Sequence, residues 1–421
     1  MVSTTETHRA IEAVWRIESA RVIAGLTRIV HDVGVAEELA QDALVAALEK
    51  WPESGIPQNP GAWLMGTAKH RAIDFLRHSS LVDLKHEHLG RELAEREMEV
   101  PDLAAAMDYN IGDDMLRLVF IACHPVLSTE ARVALTLRLL GGLTTAEIAR
   151  AYLVVEPTMA QRIVRAKRTL TDAHVPFEVP RGSEFTSRLS PVLQVIYLIF
   201  NEGYSATAGD DWMRPALCEE ALRLGRILAG LAPNEPEVHG LVALMEIQAS
   251  RARARVDAAG EPILLLEQDR AQWDRLLIGR GLASLERAEQ LTGTRGPYSI
   301  QAAIAACHAR AVSAADTDWA RIVALYEELA TIEPSPVIEL NRAVAAGMAS
   351  GPAAGLAFVD ALTNDPALEG YHLLPSVRGD LLRKLGRLSE ARAEFARAAS
   401  LTRNTRERNL LLDRARACEE G

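Results

Sequence analysis

The sequence predicts an all-α protein, and three observations carry that prediction. Ala and Leu dominate a composition that is 48% hydrophobic but only 5% aromatic, which favours helices over strands. Apolar residues recur three and four apart in stretch after stretch, the period of a helix with one buried face. Prolines, glycines and side-chain caps fall between these stretches, where helices start and stop.

The same composition bounds the function. A chain of 421 residues has room for two to four domains. A net charge of −11 argues against coating nucleic acid along the whole length. It leaves room for a local basic helix, because charges more than about 8 Å away are screened at physiological salt. Cys123, Cys218, Cys307 and Cys418 are scattered, with no C-x-x-C pair. That fits a reducing cytoplasm and no disulfide framework or structural zinc. The start, MVSTTETHRAIEAVW, has no secretory pattern, and apolar runs such as Val195 to Phe200 are too short to span a membrane. His86-x-His88 and Cys123-His124 lack further ligands at metal-binding spacing. No phosphate-cradling glycine loop, nucleophile elbow or metal-hydrolase helix is present. The expectation is a protein without catalytic residues, metal or cofactor.

Residues 10–80 read as a first helical bundle. Ile11, Val14 and Trp15 begin a stripe that Glu18 interrupts and Val22, Ile23, Leu26, Ile29 and Val30 resume, until Gly34 breaks it. A second helix, residues 36–50, puts Leu39, Ala43 and Ala47 on one side, and Glu38, Asp42, Val45 and Glu49 on the other. A loop with three prolines, WPESGIPQNPGAW, follows. The third helix, 62–77, turns Leu64, Ala68, Ala72, Phe75 and Leu76 inward and carries Lys69, His70, Arg71, Asp74 and Arg77 on its other face. Residues 81–112 are charged and poor in large apolar groups, as a linker would be.

A second unit spans 113–172. Pro125 separates two helices, Ser128 or Thr129 can cap the second, and Gly141-Gly142 end it. Two more helices then join by a tight turn. Thr144 and Glu147 form a capping box, and Pro157 opens the last helix. Met159, Ile163 and Leu170 lie on one stripe of that helix. Thr158, Arg162 and Arg165 lie on another, flanked by Gln161 and Arg168. An apolar back with a basic, amide-bearing front suits a major groove; an ordinary helical hairpin with a solvated basic face has the same pattern.

Residues 185–421 read as an array of helix pairs recurring every 30 to 40 residues, in the manner of tetratricopeptide (TPR) repeats. Gly379-x-x-Leu382 before Ala391-x-x-x-Phe395 and Ala398 is the clearest copy, Ala354-x-x-x-Phe358 a degenerate one. Pro233 and Pro334 stand where a repeat would close. Asn201, Glu202, Gly203 and Tyr204 form a polar break after an apolar helix. It reads either as a helix end with Asn201 or Gly203 left-handed or as a contact with the preceding domains.

In this order the chain resembles a bacterial sigma factor of the extracytoplasmic-function (ECF) type. AEELAQDALVAALEKWP and NPGAWLMGTAKHRAIDFLRH resemble the sigma-2 domain. ARVALTLRLLGGLTTAEIARAYLV and TMAQRIVRAKRTL resemble the sigma-4 helix-turn-helix bundle. VIYLIFNEGYSA, QDRAQWDRLLI, GPYSIQAAIAACHA, PSPVIELNRAVA and GYHLLPSVRGDLLRKLGR resemble the subgroup with a long TPR-like C-terminal extension. The resemblance implies a factor that binds core RNA polymerase, through the β′ clamp and β flap, and directs −10 and −35 promoter recognition and melting.

It also implies roles. Glu38, Gln41, Asp42, Val45 and Glu49 would dock on the clamp. Trp63, Lys69, His70, Arg71, Asp74 and Arg77 would handle −10 DNA, although Trp63 also suits a core and Asp74 could orient Arg71 or Arg77. Thr158, Gln161 and Arg162 would reach −35 base edges, and Arg165, Lys167 and Arg168 phosphates. Arg77-His78-Ser79-Ser80 stands where such domains often carry a run of arginines. The extension implies built-in control, with the polar break as a regulatory contact and a DGPF-type protein or another regulator as partner. A stand-alone helix-turn-helix regulator with a ligand- or protein-sensing repeat domain is the alternative, and a protein scaffold a third reading.

Overall fold

The first helix ends where His31 takes a left-handed backbone, φ 53°. Asp32 then caps the next helix, its carboxylate accepting from the Val35 N–H at 2.9 Å. The break therefore precedes Gly34, which lies inside the second helix. The computed structural model describes residues 4–87, 111–291 and 294–419, with side chains for 7–78, 113–291 and 294–419. The chain divides into two compact units, Met1–Val195 and Ile196–Gly421.

In unit 1, α1 (Thr4–Val30), α2 (Val33–Ser54) and α3 (Pro60–Glu87) pack on one another. Leu39, Ala43 and Ala47 are buried on α2 as the periodicity requires. The helix runs further than its apolar stripe, carrying Pro52 in its last turn, and Trp51 is core rather than loop. The loop is consequently short, and Asn59 opens α3 by accepting from the Ala62 N–H at 3.0 Å. The expectation that Phe75 and Leu76 face inward fails, for both are exposed. Ala72 is the last fully buried residue of the described part of α3. The proposed linker lies largely outside the described residues, as does His88.

The remainder of unit 1 is α4 (Ile111–Ala122), α5 (Thr129–Leu139), α6 (Thr145–Ala151) and α7 (Glu156–Asp172). Ser128 caps α5, and the Thr144–Glu147 capping box forms with both reciprocal hydrogen bonds. Met159, Ile163, Ala166 and Leu170 are the buried back of α7. The α6–α7 turn holds Leu153 at φ 51°, a left-handed position with no glycine to mark it. The helix α8 (Ser183–Tyr204) starts in unit 1, where Phe185 meets the Phe120 ring edge-on at 5.2 Å.

Unit 2 continues with α9 (Pro215–Leu231), α10 (Pro236–Ala249), α11 (Arg275–Leu291), α12 (Pro297–Arg310) and α13 (Trp319–Ile332). It ends with α14 (Pro336–Ser350), α15 (Pro352–Leu362), α16 (Leu373–Lys384), α17 (Leu388–Leu401) and α18 (Thr405–Ala417). Each helix packs on the next in sequence, as in a helical repeat array. Proline is the first residue of five of them, where its missing N–H leaves no bond unmade. A Cβ on Gly379 would come within 2.9 Å of the buried Phe395 ring, so the clearest repeat packs as its spacing predicts. The degenerate copy does not. Phe358 is exposed under the Arg342 guanidinium, and the close approach falls one residue later, at Gly355 and Val359. There a Cβ on Gly355 would meet the Ala343 carbonyl oxygen at 2.8 Å.

Two features of unit 2 were not visible in the repeat pattern. Residues 250–274 leave the helical array between α10 and α11, with two short 3-10 turns and a bridge from Val256 to Pro262. A short parallel pair, β1 (Ala208–Gly209) and β2 (Arg403–Asn404), also ties the segment after α8 to the last helix pair. Asn404 is its anchor. The buried amide donates to the carbonyls of Ala206 at 3.1 Å and Asp211 at 2.8 Å, while its oxygen accepts from the Glu407 N–H and caps α18. Asn404→Ala would leave two carbonyls without their donor and α18 without its cap. A loss of about 2–4 kcal/mol is expected, read from urea unfolding of the full chain.

His308 on α12 makes a pH prediction. Burial, and then the positive charges of Arg251 and Arg270, push its pKa from the ordinary 6.5 down to about 4. The folded ring stays neutral where the unfolded one is protonated. Stability is therefore complete above pH 6.5 and falls as the pH drops toward 4. The full difference is about 3 kcal/mol, at 1.36 kcal/mol per unit. His308→Gln should flatten that slope in denaturation curves taken between pH 7 and 4.

Candidate nucleic-acid interface

The α2 residues Glu38, Asp42, Val45 and Glu49 are exposed on one face, with Gln41 half-buried beside them. They lie opposite the buried alanines because four-residue steps keep one side of a helix. Asp42 pairs with Arg71 of α3 at 3.0 Å, joining a residue of the acidic face to one of the basic set. Asp74 lies 4.0 Å from Arg77, an exposed pair within one turn. His70 is exposed and Lys69 half-buried. Trp63 is half-buried, and its ring meets the edge of buried Trp51 at 5.2 Å. The two alternatives for Trp63 thus converge: it is anchored in the core yet keeps an accessible surface.

On α7, Thr158, Gln161, Arg165 and Arg168 are exposed and Arg162 is half-buried. Thr158, Gln161, Arg162 and Arg165 line a cleft of about 360 Å³ with Ser128 and Ala131 of α5. Arg168 pairs with Asp172 on its own helix at 3.4 Å.

Lys167 departs from the expected phosphate-facing set. Its ammonium is ion-paired with Glu37 of α2, a buried carboxylate that also accepts from Arg138 Nε at 2.6 Å. The reason is helical phase. Lys167 follows the buried Ala166 and lies a turn before Leu170, so it borders the packed back of α7. Glu37 lies a turn from buried Val33 and Ala40 on α2. An acid in that apolar stripe was the available sequence signal for the contact, and the pattern of exposed acids alone does not reveal it.

More bonds join the same parts of unit 1. Thr171 donates to Asp32 Oδ2 at 2.7 Å, so one carboxylate both caps α2 and holds the end of α7. Arg16 of α1 pairs with Glu147, the capping-box acid of α6, at 2.5 Å. Arg28 of α1 and Arg117 of α4 flank buried Asp114 at 3.5 and 2.7 Å. Burial raises the Asp114 pKa against the opposing pull of those two cations. Gly142, at φ 66°, lies close enough to α1 that a Cβ would come 3.4 Å from the Arg16 Cα.

The polar break forms its described contacts inside unit 2. The helix α8 runs through Tyr204, and neither Asn201 nor Gly203 is left-handed. Glu202 pairs with Arg214 and accepts from the Thr207 hydroxyl at 2.9 Å. Gly203 permits close packing of α9, since a Cβ there would lie 2.6 Å from the Cys218 nitrogen. Tyr204 stacks on Phe200, with Arg255 over its ring at 3.5 Å.

Cys123 is buried with its thiol 3.4 Å from the Thr136 hydroxyl, and burial pushes its pKa up to about 11. His124 Nδ1 accepts from the Val126 N–H at 3.2 Å. Among the described residues no three metal-ligating side chains converge, and no helix is long and apolar enough to cross a membrane.

Residues 16–81 match the sigma-70 region 2 family, residues 117–170 match sigma-70 region 4, and residues 188–289 match a family of unknown function (DUF6596). An uncharacterized protein of Rhizobium meliloti (strain 1021) is 44% identical over 388 residues, covering 92% of this chain and 90% of that protein. No solved structure gives a significant match.

Glu37 is the position at which this arrangement can be tested. Glu37→Gln leaves Arg138 and Lys167 without their shared acid, and removing one partner of a buried pair costs about 3–5 kcal/mol. A lower urea midpoint for unit 1 is expected. Replacing all three together by Leu and Met should recover most of the loss, because no buried charge is then left unpaired.

Proposed function

The chain belongs to the sigma-70 family as an ECF-like sigma factor with a long C-terminal extension, and we propose that it docks on core RNA polymerase through α2 and grips promoter DNA through α3 and α7. A role in promoter recognition follows from the two sigma-70 regions. The observation that carries the residue assignment is segregation. On α7 the apolar residues are buried while Thr158, Gln161, Arg162 and Arg165 line an open cleft. On α2 the acidic face is exposed separately.

In this reading Glu38, Gln41, Asp42, Val45 and Glu49 meet the β′ clamp, and the region 4 helices meet the β flap. Trp63 captures a base released by melting, held rigid by Trp51, with Lys69, His70, Arg71, Asp74 and Arg77 along the same strand. Thr158, Gln161 and Arg162 read −35 base edges, where each good pair discriminates by about 1–3 kcal/mol. Arg165 and Arg168 hold phosphates. The site of action is the cytoplasm, where polymerase is. The extension regulates output, with a DGPF-type protein as a candidate partner.

The Glu37 contact enters this mechanism directly. The two promoter elements lie several helical turns apart, so the α2–α7 contact must open before both can be gripped. While Lys167 is held, Arg162, Arg165 and Arg168 are the cations of α7 left to meet DNA, and counting all three as phosphate contacts sets the upper limit. Counterion release then gives a salt slope of at most about −2.7, against about −3.6 once Lys167 is free. Both slopes are modest, which makes stable promoter binding depend on polymerase.

In vitro transcription with core polymerase and the DNA upstream of the protein's own gene tests the proposal. Initiation dependent on this chain is expected. Trp63→Ala should cut open-complex formation roughly 5- to 150-fold, the equivalent of about 1–3 kcal/mol for one stacked base, while leaving duplex −35 binding unchanged. DNA binding without polymerase-dependent initiation would instead identify a stand-alone regulator.

A further inference from the structure

Residues 250–274 and the helix turn before them bring three arginines together in unit 2. Arg255 and Arg270 are buried, and Arg251 is half-buried. Among the described residues, none of the three forms an ion pair with a carboxylate. Arg255 lies over the Tyr204 ring at 3.5 Å and 5.7 Å from that of Trp212. Arg270 donates to the carbonyl oxygens of His308 at 2.5 Å and Ala311 at 2.8 Å, and to the Thr317 hydroxyl at 3.2 Å. Arg251 donates to the Gln248 amide oxygen and lies over the rings of Tyr204 and Trp273, leaving its Nε without an acceptor. Asp316 and Glu333 are the acids whose fields reach this region, Asp316 at Arg270 and Glu333 at Tyr197. Taking guanidinium groups out of water costs several kcal/mol each unless an anion compensates.

This charge borders a cavity of about 430 Å³, lined by Arg251, His308, Gln248, Gln301, Asn341 and Tyr326 among others. The volume is that of a pocket for a small molecule. His308 contributes the second observation. It is 9% exposed, and its Nδ1 has no hydrogen-bond partner. His308 Nδ1 and Arg251 Nε are buried and without a partner in two residues that line the cavity, which leaves an incomplete hydrogen-bond set beside it. Neutral imidazole can present Nδ1–H as a donor, and a guanidinium fork matches the oxygens of a carboxylate or phosphate. The amides of Gln301 and Asn341 can bond to polar groups on the rest of the molecule. Tyr197, Leu244 and Ile304 supply apolar wall for its body.

We propose that this cavity binds a small organic anion, with its carboxylate or phosphate on Arg251 and His308 and its body among the amides and tyrosines. Glu333 in the wall opposes the anion and sets an upper limit on affinity. The site lies wholly within unit 2 and needs no premise about promoters or polymerase.

Calorimetry on the full chain tests this with benzoate and phenyl phosphate as probes and benzyl alcohol as the uncharged control, in low-chloride buffer. At least one anion should bind saturably with a stoichiometry of one, and the anion that does so separates carboxylate from phosphate ligands. Benzyl alcohol should not saturate. Arg251→Gln should weaken binding at least tenfold with an unchanged far-ultraviolet circular dichroism spectrum, and Glu333→Gln should tighten it severalfold. If Arg251→Gln fails to fold, Asn341→Leu serves in its place and should also weaken binding. The assignment is overturned if neither anion saturates the native chain, or if benzyl alcohol binds as well. A folded Arg251→Gln or Asn341→Leu protein with unchanged affinity also overturns it. An acidic peptide that displaces the anion at a hundredfold lower concentration would overturn the small-ligand assignment in favour of a protein partner.

Discussion

One buried carboxylate constrains the arrangement of unit 1. Glu37 has almost no access to water, so it needs cations, and the two it has come from α5 and α7. A helix that carries the proposed polymerase-docking face is thereby tied to the helix that carries the proposed −35 face. Asp32 adds a second tie with no extra charge, because its other oxygen is already used to cap α2. The linked helices belong to the two sigma-70 regions, which in the proposed reading act on separate stretches of promoter DNA. Buried ion pairs contribute little net stability but are sensitive to loss of one partner. Such a contact can hold one arrangement while remaining able to exchange for another.

Unit 2 is organised by close backbone approach and by polar anchoring. Gly379 under Phe395, and Gly347 beside Gly355, let paired helices approach where a larger residue would hold them apart. Asn404 supplies the complementary device. Its side chain satisfies two carbonyls far away in the sequence and caps a helix at the same time. The first and last segments of the extension are therefore hydrogen-bonded to each other, which gives the array a fixed frame. The arginine-rich excursion between α10 and α11 sits within that frame beside the His308 cavity. In a sigma factor, a small-anion site there would place a chemical signal on the same chain as the promoter-reading helices.

Much of the candidate interface was legible because exposure follows helical phase. The acidic face of α2 and the basic front of α7 are each set by the positions of the buried residues on the same helix. The capping box at Thr144 and the proline near the start of α7 are local chemistry and appear where the sequence places them. The misses have equally definite causes. Phe75 and Leu76 keep the apolar period but are not covered by a partner helix among the described residues. Phe358 matched a repeat spacing whose packing is taken one residue later by Gly355 and Val359. Lys167 belonged to a basic run, yet its position beside Ala166 turns it toward Glu37.

By itself the sequence determined the all-α class, the order of the sigma-like regions and the repeat array, and which sides of α2 and α7 are polar. These depend on periodicity, caps and local turn chemistry, which act within a few residues. Tertiary structure alone decided that Glu37 faces Arg138 and Lys167, that Asn404 bonds to the segment after α8, and that Arg251 and His308 share a cavity. Each joins residues tens to nearly two hundred positions apart, and no short-range pattern records which distant surface a side chain will meet.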